Sequence, residues 1–277
     1  MPVEQVQIAG AVLDVAVPER SYPGVSMAGF RGKTPDPVEL QMIPYPASTL
    51  FLDFGDALLT DDNNGTQRRG SVVVGLATGT LHGSGRDVDV LQVRLSPVVA
   101  HAVLGPGADI GAAVLTLEDL WGRDAERTEE RLRATTSWEE RFAIVHRVLA
   151  RQSGAGRAVD REVAFTWSRM VATRGQVRIE QLADEVGWSR QRLWSRFRAQ
   201  VGLTPKYAAR LIRFDHAAHR LAAGHSAATV AADGGFTDQS HLHHDVTAFA
   251  GMSTSAVAEA LWLVVDPVAW PARIPRT

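Results

Sequence analysis

Residues 179–205, IEQLADEVGWSRQRLWSRFRAQVGLTP, contain two short helical patterns separated by a glycine. In the first pattern Leu182, Ala183 and Val186 lie on one face of the predicted helix, which is therefore expected to be buried. Gly187 follows directly and can take the left-handed backbone conformation that ends a helix. The stretch thus opens with a short amphipathic helix and a sharp turn.

The second pattern carries its own start and stop signals. Ser189 is a good N-cap for the helix that follows it. Leu193 and Phe197, four residues apart, indicate the buried face of that helix. Gly202 is expected to end it, and Pro205 suits the first turn of a third helix. A helix, a tight turn and a second helix of this size predict a helix-turn-helix unit.

The same arrangement recurs once, so the sequence predicts two units, at about residues 179–202 and 228–251. The apolar and glycine positions match at an offset of roughly 48 to 49 residues: Leu182 with Val230, Ala183 with Ala231, Gly187 with Gly235, Leu193 with Leu242, Phe197 with Val246 and Gly202 with Gly251.

A single helical stripe connects the two units. It consists of Tyr207, Leu211, Phe214, Ala218 and Leu221, and it stops just before a glycine. A helix over most of residues 205–224, PKYAARLIRFDHAAHRLAAG, spans about 27 Å. Helices that read successive turns of the DNA major groove are separated by roughly 34 Å, so this helix suits a rigid spacer.

Three stretches resemble the DNA-binding domain of the AraC/XylS family of bacterial transcription regulators: LADEVGWSRQRLWSRF, GLTPKYAARLIRFDHA, and GGFTDQSHL with the later FAGM. The resemblance covers residues from about 175 to 260. More loosely, SVVVGLATGTL, VRLSP and LEDLWGRDAERTEERL are similar to a β-rich ligand-sensing or dimerisation domain found in that family. The resemblance implies a sequence-specific, DNA-binding activator or repressor.

The outer face of the first predicted recognition helix is polar. Gln191 can bond bidentately to adenine, and Arg190 can pair with guanine or a phosphate. The family resemblance implies that the base-reading positions are Gln191, Arg192, Trp194 and Ser195, although arginine often stands at the last of these. A tryptophan is usually a core residue, but the spacing of Trp194 places it beside the buried stripe and favours the surface.

Four further basic side chains are predicted to bind phosphates, which hold the register of a protein on DNA without reading sequence: Arg196, Arg198, Lys206 and Arg210. An isolated arginine would more often be a solvated surface residue. Their number on a helix-turn-helix frame favours nucleic acid as the partner.

The second recognition helix is predicted to present Gln239, Ser240, His243 and His244 to the groove. Residues 221–260 contain no lysine or arginine. Because counterion release on binding depends on basic side chains, we expect the first unit to supply most of the affinity and its salt dependence.

Residues before about 97 predict β-structure. Apolar residues alternate in 48–60, 70–78 and 89–97, and DDNNG in between is a turn signal. Short strands of this kind favour a sandwich or a small, cupin-like barrel over a βαβ sheet. The predicted architecture is therefore α+β and multidomain. It has a β-rich regulatory or dimerisation domain with C-terminal helices at 1–152, a linker at 153–157, and an all-α DNA-binding domain at 158–265.

Composition limits the other classes of function. The 277 residues include no cysteine, which removes disulfide frameworks and thiolate catalysis. The net charge is −2, yet the segment 178–220 is clearly basic. The N-terminus has no secretory pattern and no apolar run could cross a bilayer, so a cytoplasmic protein is expected.

Two alternatives involve metal chemistry. The cluster around His241, His243 and His244 could bind a metal, but on a helix His243 faces away from the other two. A metal-dependent cupin enzyme would need a two-His, one-carboxylate set, and before residue 135 only His82 and His101 are available. We therefore expect no enzyme activity, no metal and no cofactor.

The expected partners follow from these assignments. They are double-stranded DNA, a small-molecule effector, a second copy of the chain in a homodimer and, for an activator, RNA polymerase. A third alternative stays open, in which the N-terminal domain only dimerises and senses nothing.

Overall fold

The computed structural model describes residues 3–8, 11–20, 22–76, 79–105, 110–111, 114–153 and 158–270. Most of the predicted linker at 153–157 lies outside these ranges. No helix within the described ranges is long and apolar enough to span a membrane.

The strands of the described residues, numbered in chain order, are β1 Val3–Ile8, β2 Ala11–Ala16, β3 Val25–Met42, β4 Ser48–Asp53, β5 Leu58–Asp61, β6 Gln67–Arg69, β7 Val72–Val74, β8 Leu81–Leu95 and β9 Val114–Thr116. The helices are α1 Pro97–Leu104, α2 Leu117–Trp121, α3 Arg123–Arg133, α4 Trp138–Ser153, α5 Arg161–Ala172, α6 Ile179–Glu185, α7 Arg190–Val201, α8 Pro205–Ala222, α9 Ala227–Asp233, α10 Gln239–Ala250, α11 Thr254–Ala258 and α12 Leu261–Ala269.

The described strands form one antiparallel sheet with the order β1-β2-β3-β8-β4-β7-β9. The long strand β8 organises it, because its first half pairs with β5 and its second half pairs with β4. Its other edge pairs with β3, whose register shifts between Lys33 and Val38. A β-rich domain followed by a helical one was predicted, and this prediction is confirmed.

One face of the sheet packs against helices of the same domain. Leu91, Val93 and Leu95 of β8 alternate with half-buried residues and are fully buried, as their period of two predicted. Trp138 and Phe142 of α4 belong to the same core cluster. The N-terminal domain therefore contains both the sheet and the helices that follow it.

Helix α12 lies in an unexpected place. It follows the second helix-turn-helix unit in sequence, yet Val265, Ala269 and Trp270 pack with Ile8 and Leu13 of the sheet. The predicted boundary of the DNA-binding domain at 265 therefore falls inside a helix that contacts the N-terminal domain.

A buried polar cluster joins the two domains beside α12. Asp266 of α12 pairs with Arg94 of β8, at 3.3 Å. His219 of α8 donates from Nε2 to the same carboxylate, at 2.7 Å. The Nδ1 atom of His219 lies 2.7 Å from the Asp215 carbonyl oxygen. A strand, the spacer helix and α12 thus meet at one aspartate.

Raising the pH is expected to weaken this junction. Burial alone would lower the pKa of His219, but the carboxylates of Asp215 and Asp266 outweigh it and raise the pKa to about 9. The stabilisation by protonated His219 is complete below its ordinary pKa of 6.5 and is lost as the pH rises through about 9.

The free energy of unfolding of the protein and of a His219→Gln variant, measured between pH 7 and 10, tests this. The difference between the two should shrink as the pH rises. This range avoids Asp215, whose pKa burial raises to about 6. A difference that stays constant to pH 10 would contradict the assignment.

Candidate nucleic-acid interface

Helices α6 and α7 form the first helix-turn-helix unit, and the predicted turn, cap and buried residues are all present. Gly187, with φ +67°, lies in the turn between them. The Ser189 side chain caps α7 by accepting a hydrogen bond from the backbone N–H of Arg192. Leu193 and Phe197 are fully buried. These two anchors fix which face of α7 is turned outward.

The outward face of α7 carries the residues predicted to read bases. Gln191, Arg192, Trp194 and Ser195 are all exposed. Trp194 has 45% of its surface exposed, which agrees with the surface position inferred from its spacing. A large exposed aromatic side chain is available to pack against a sugar or a thymine methyl group.

Two arginines of α7 stack on tryptophans. The guanidinium of Arg198 lies 5.2 Å from the ring centroid of Trp194. That of Arg192 lies 4.5 Å from the ring of Trp188, which is half-buried at the turn. Stacking restrains these long side chains while leaving the charge accessible to solvent.

Two of the arginines that are predicted to contact DNA form ion pairs within the protein. Arg196 forms a two-pronged pair with Asp160 at the start of α5, at 2.7 and 2.9 Å. Arg190 pairs with Glu180 of α6, at 3.1 Å, although both side chains are largely exposed. Lys206, at the start of α8, is exposed. The predicted set is thus not a uniform group of solvated cations.

Helices α9 and α10 form the second unit. Gly235, with φ +72°, lies in the turn, and Asp238 caps α10 by accepting from the N–H of His241. Leu242 and Val246 are fully buried. The predicted groove-facing residues of α10 are exposed: Gln239, Ser240, His243 and His244.

Asp245 is a residue of this site that pattern analysis did not identify. Its carboxylate is 2% exposed and accepts from Arg210 at 2.8 Å and from Arg213 at 3.0 Å, both on α8. Burial would raise the pKa of Asp245, but the two guanidinium groups hold it below its ordinary value. The predicted phosphate ligand Arg210 is therefore tied to the second recognition helix.

A hint of this pairing exists in the sequence. Asp245 lies one position before the buried Val246, on the inner side of α10, where a carboxylate needs a partner. The sequence does not show which cations pair with Asp245, because Arg210 and Arg213 are 35 and 32 residues away.

The spacer helix α8 holds both units in one core. Leu211, Phe214 and Ala218 are fully buried, and the ring of Phe214 stacks on Phe249 of α10 at 5.0 Å. Residues of α6, α7, α9 and α10 belong to the same cluster. The relative orientation of the two recognition helices is therefore fixed by packing.

The three histidines at 241, 243 and 244 do not converge on one point. His241 lies edge-on to Phe236, with ring centroids 5.4 Å apart, while His243 and His244 are exposed. Across the described ranges, no three His, Asp or Glu side chains converge in a way that could hold a metal ion.

Comparison with known proteins supports this assignment over the C-terminal domain. Residues 182–260 match a family model described as a helix-turn-helix domain. No curated protein is matched.

Solved structures give weaker likenesses. ToxT from Vibrio cholerae has 11% identity and a TM-score of 0.48, over 87% of this chain and 99% of that one. A structure of unsaturated fatty acid bound ToxT from the same organism has 12% identity and a TM-score of 0.47, over 88% and 98%. The AraC-like transcriptional activator CuxR has 18% identity and a TM-score of 0.27, over 83% and 90%.

The matched residues coincide with the two structural units. They begin in α6 and end beyond α11, so they contain both recognition helices and the spacer between them. The chain therefore contains a helix-turn-helix domain at residues 182–260.

Proposed function

We propose that the protein binds a specific operator sequence through α7 and α10 and regulates transcription in response to a small molecule bound by the N-terminal domain. The observation that carries the proposal is the pair of recognition helices held rigidly on α8, each with its polar residues exposed. Two helices fixed on one spacer suit two successive turns of the major groove.

The proposed readers of bases on α7 are Gln191, Arg192, Trp194 and Ser195, together with Arg190. Arg198 and Lys206 are the proposed phosphate contacts with the freest charge. Arg196 and Arg210 join them only if DNA competes with Asp160 and Asp245 for their guanidinium groups.

The two units are proposed to contribute unequally. The exposed face of α10 offers Gln239, Ser240, His243 and His244 but no lysine or arginine. The salt dependence of binding should therefore come mainly from α7 and the start of α8.

Selection of bound fragments from the source genome, followed by footprinting of the best one, tests the proposal. We expect two protected stretches about one helical turn apart, roughly 34 Å between centres. The stronger protection should lie on the stretch contacted by α7. Binding without sequence preference would refute the proposal.

Two substitutions on α7 are expected to act differently. Gln191→Ala should cost about 1–3 kcal/mol of discrimination at one base and leave non-specific binding intact. Arg198→Ala should weaken binding to all sequences and reduce the salt slope by about 1. Titrations of operator and scrambled DNA at several salt concentrations measure both.

Arg147→Ala is a matched control for the loss of one charge, because Arg147 is exposed on α4 in the N-terminal domain. It should change neither quantity. If Gln191→Ala and Arg198→Ala lower specific and non-specific affinity equally, the division into base readers and phosphate contacts is wrong.

The N-terminal domain is proposed to take up an effector in a cavity of about 210 Å³ that is lined by the sheet and by residues of the α12 segment. A homodimer, and a contact with RNA polymerase for an activator, belong to the same proposal. The alternative of a metal-dependent cupin enzyme would be revived by stoichiometric iron or zinc in the purified protein. A regulator that only dimerises would show no ligand-dependent change in DNA affinity.

A further inference from the structure

The cavity in the N-terminal domain has mainly apolar walls and one buried cation. Four charged residues line it: Asp53, Arg68, Arg94 and Asp266. Arg68 is exposed, and Asp53 accepts a hydrogen bond from the backbone of Gly55. Arg94, with 12% of its side chain exposed, is therefore the cation that an occupant of the cavity would meet.

Arg94 is held in a fixed position. Its guanidinium lies 3.9 Å from the ring centroid of Tyr45 and 4.0 Å from that of Trp270. The ring of Tyr45, which lies outside the α12 segment, continues to restrain the side chain when α12 moves, so less rotamer entropy is lost when Arg94 binds an anion.

The hydrogen-bond donors of the Arg94 guanidinium are not all satisfied. Its contacts with Asp266 are 3.3 and 3.4 Å long, whereas charge-assisted bonds of this kind are typically about 2.7–2.9 Å. Its Nε atom is buried and makes no hydrogen bond within the described part of the chain. Arg94 can therefore accept a further or a better anionic partner.

Asp266 belongs to the element that closes the cavity. Val265, Asp266 and Trp270 of the α12 segment all contribute to the lining. The same carboxylate receives a 2.7 Å hydrogen bond from His219 of the spacer helix. Asp266 therefore links Arg94 directly to the spacer helix of the DNA-binding domain.

We propose that the cavity binds a mainly apolar ligand with one negatively charged group, that Arg94 receives this group, and that the ligand thereby competes with Asp266 and loosens α12 from the sheet. The proposal rests on the proposed function and specifies its effector. A second carboxylate beside Arg94 would repel Asp266 in a poorly solvated site and share the charge that holds it.

Ligand binding and the docking of α12 on the sheet are therefore coupled in both directions. Because α12 supplies part of the wall, the ligand binds the docked and the loosened states with different affinity, and only that difference can shift the equilibrium. By linkage, a ligand that favours the loosened state binds more tightly after any change that loosens α12. Asp266→Asn should therefore favour an anionic ligand.

A matched pair of probes, 3-phenylpropionate and 3-phenylpropanol, tests the proposal by calorimetric titration of the full chain. Their apolar parts are the same and only the first is charged at neutral pH. We expect the carboxylate to bind roughly 10- to 100-fold more tightly, the range that a charged hydrogen bond provides. Arg94→Gln should reduce its affinity to that of the alcohol.

Two acidic variants separate competition from general electrostatics. Asp266→Asn should raise the affinity for the carboxylate about tenfold and leave that for the alcohol unchanged. Glu259→Gln removes an exposed acid seven residues earlier and should change neither. The double variant Arg94→Gln/Asp266→Asn, which removes both partners of the Arg94–Asp266 ion pair, should behave as Arg94→Gln does and controls for misfolding.

Hydrogen exchange of residues 261–270 gives the second measurement. Exchange should accelerate when 3-phenylpropionate is bound and stay unchanged with 3-phenylpropanol.

The proposal is overturned if neither probe binds at millimolar concentration, if both bind equally, if Asp266→Asn has no effect, or if exchange in this segment does not change. Operator selection, performed without any probe, reports on the proposed function separately.

Discussion

Replacing Asp245 by alanine is expected to lower the free energy of unfolding of the DNA-binding domain by about 3–5 kcal/mol. The substitution removes the shared acceptor of Arg210 and Arg213, and Arg213, at 16% exposed, has little access to water as a substitute. A half-buried cation without its partner costs more than the ion pair contributed. The loss also frees α10 from α8.

Urea denaturation of the full chain, followed through the helical signal, measures this effect. Asp233→Ala is the matched control, because Asp233 pairs with Arg220 at 2.8 Å but is 56% exposed. That change should cost within about 1 kcal/mol. If both variants lose equal stability, Asp245 does not hold the second unit in place.

Gly175→Ala is the second substitution with a large expected effect, about 3 kcal/mol or more. Gly175 lies beyond α5 with φ +74°, which by itself costs an L-residue roughly 1–2 kcal/mol. In addition, an added Cβ would collide with the backbone carbonyl oxygen of Ala209 on α8. Since neither group is a flexible side chain, the spacer helix would have to move.

Gly187→Ala separates the two causes. Gly187 has a similar φ of +67°, but an added Cβ there meets nothing within 4 Å. It should therefore show only the backbone cost, and the difference between the variants measures the close approach of α5 to α8. The melting temperatures of both variants are compared with that of the unchanged protein. If Gly175→Ala and Gly187→Ala lower the melting temperature equally, the added Cβ at Gly175 makes no steric contribution.

The local features of the helix-turn-helix units could be predicted because their causes are local. The cap at Ser189, the left-handed turn at Gly187 and the buried pair Leu193 and Phe197 all depend on residues within one or two helical turns. The repeated spacing then predicted the second unit.

The pairing of charges could not be predicted, because it depends on distant residues. Arg196 and Arg210 look alike in the sequence as exposed basic residues of a DNA-binding domain. Asp160 and Asp245 bind them from 36 and 35 positions away. Only the packing of α5 on α7 and of α10 on α8 brings these groups together.

The packing of α12 against the sheet could not be predicted from the sequence either. Its segment is apolar, which indicates burial but not the surface that buries it. The partner surface, around Ile8 and Leu13, lies at the opposite end of the chain. The extent of β3, 18 residues with a register shift, was also missed, since its polar middle interrupts the alternation.

The return of α12 to the sheet has a consequence for folding during synthesis. At roughly 5–20 residues per second, about 10 to 50 s separate the emergence of β1 from that of α12. During that interval the sheet lacks the side chains of Val265 and Trp270, so its cavity is open on one side. The nascent N-terminal domain can therefore complete its core only after the whole DNA-binding domain has left the ribosome.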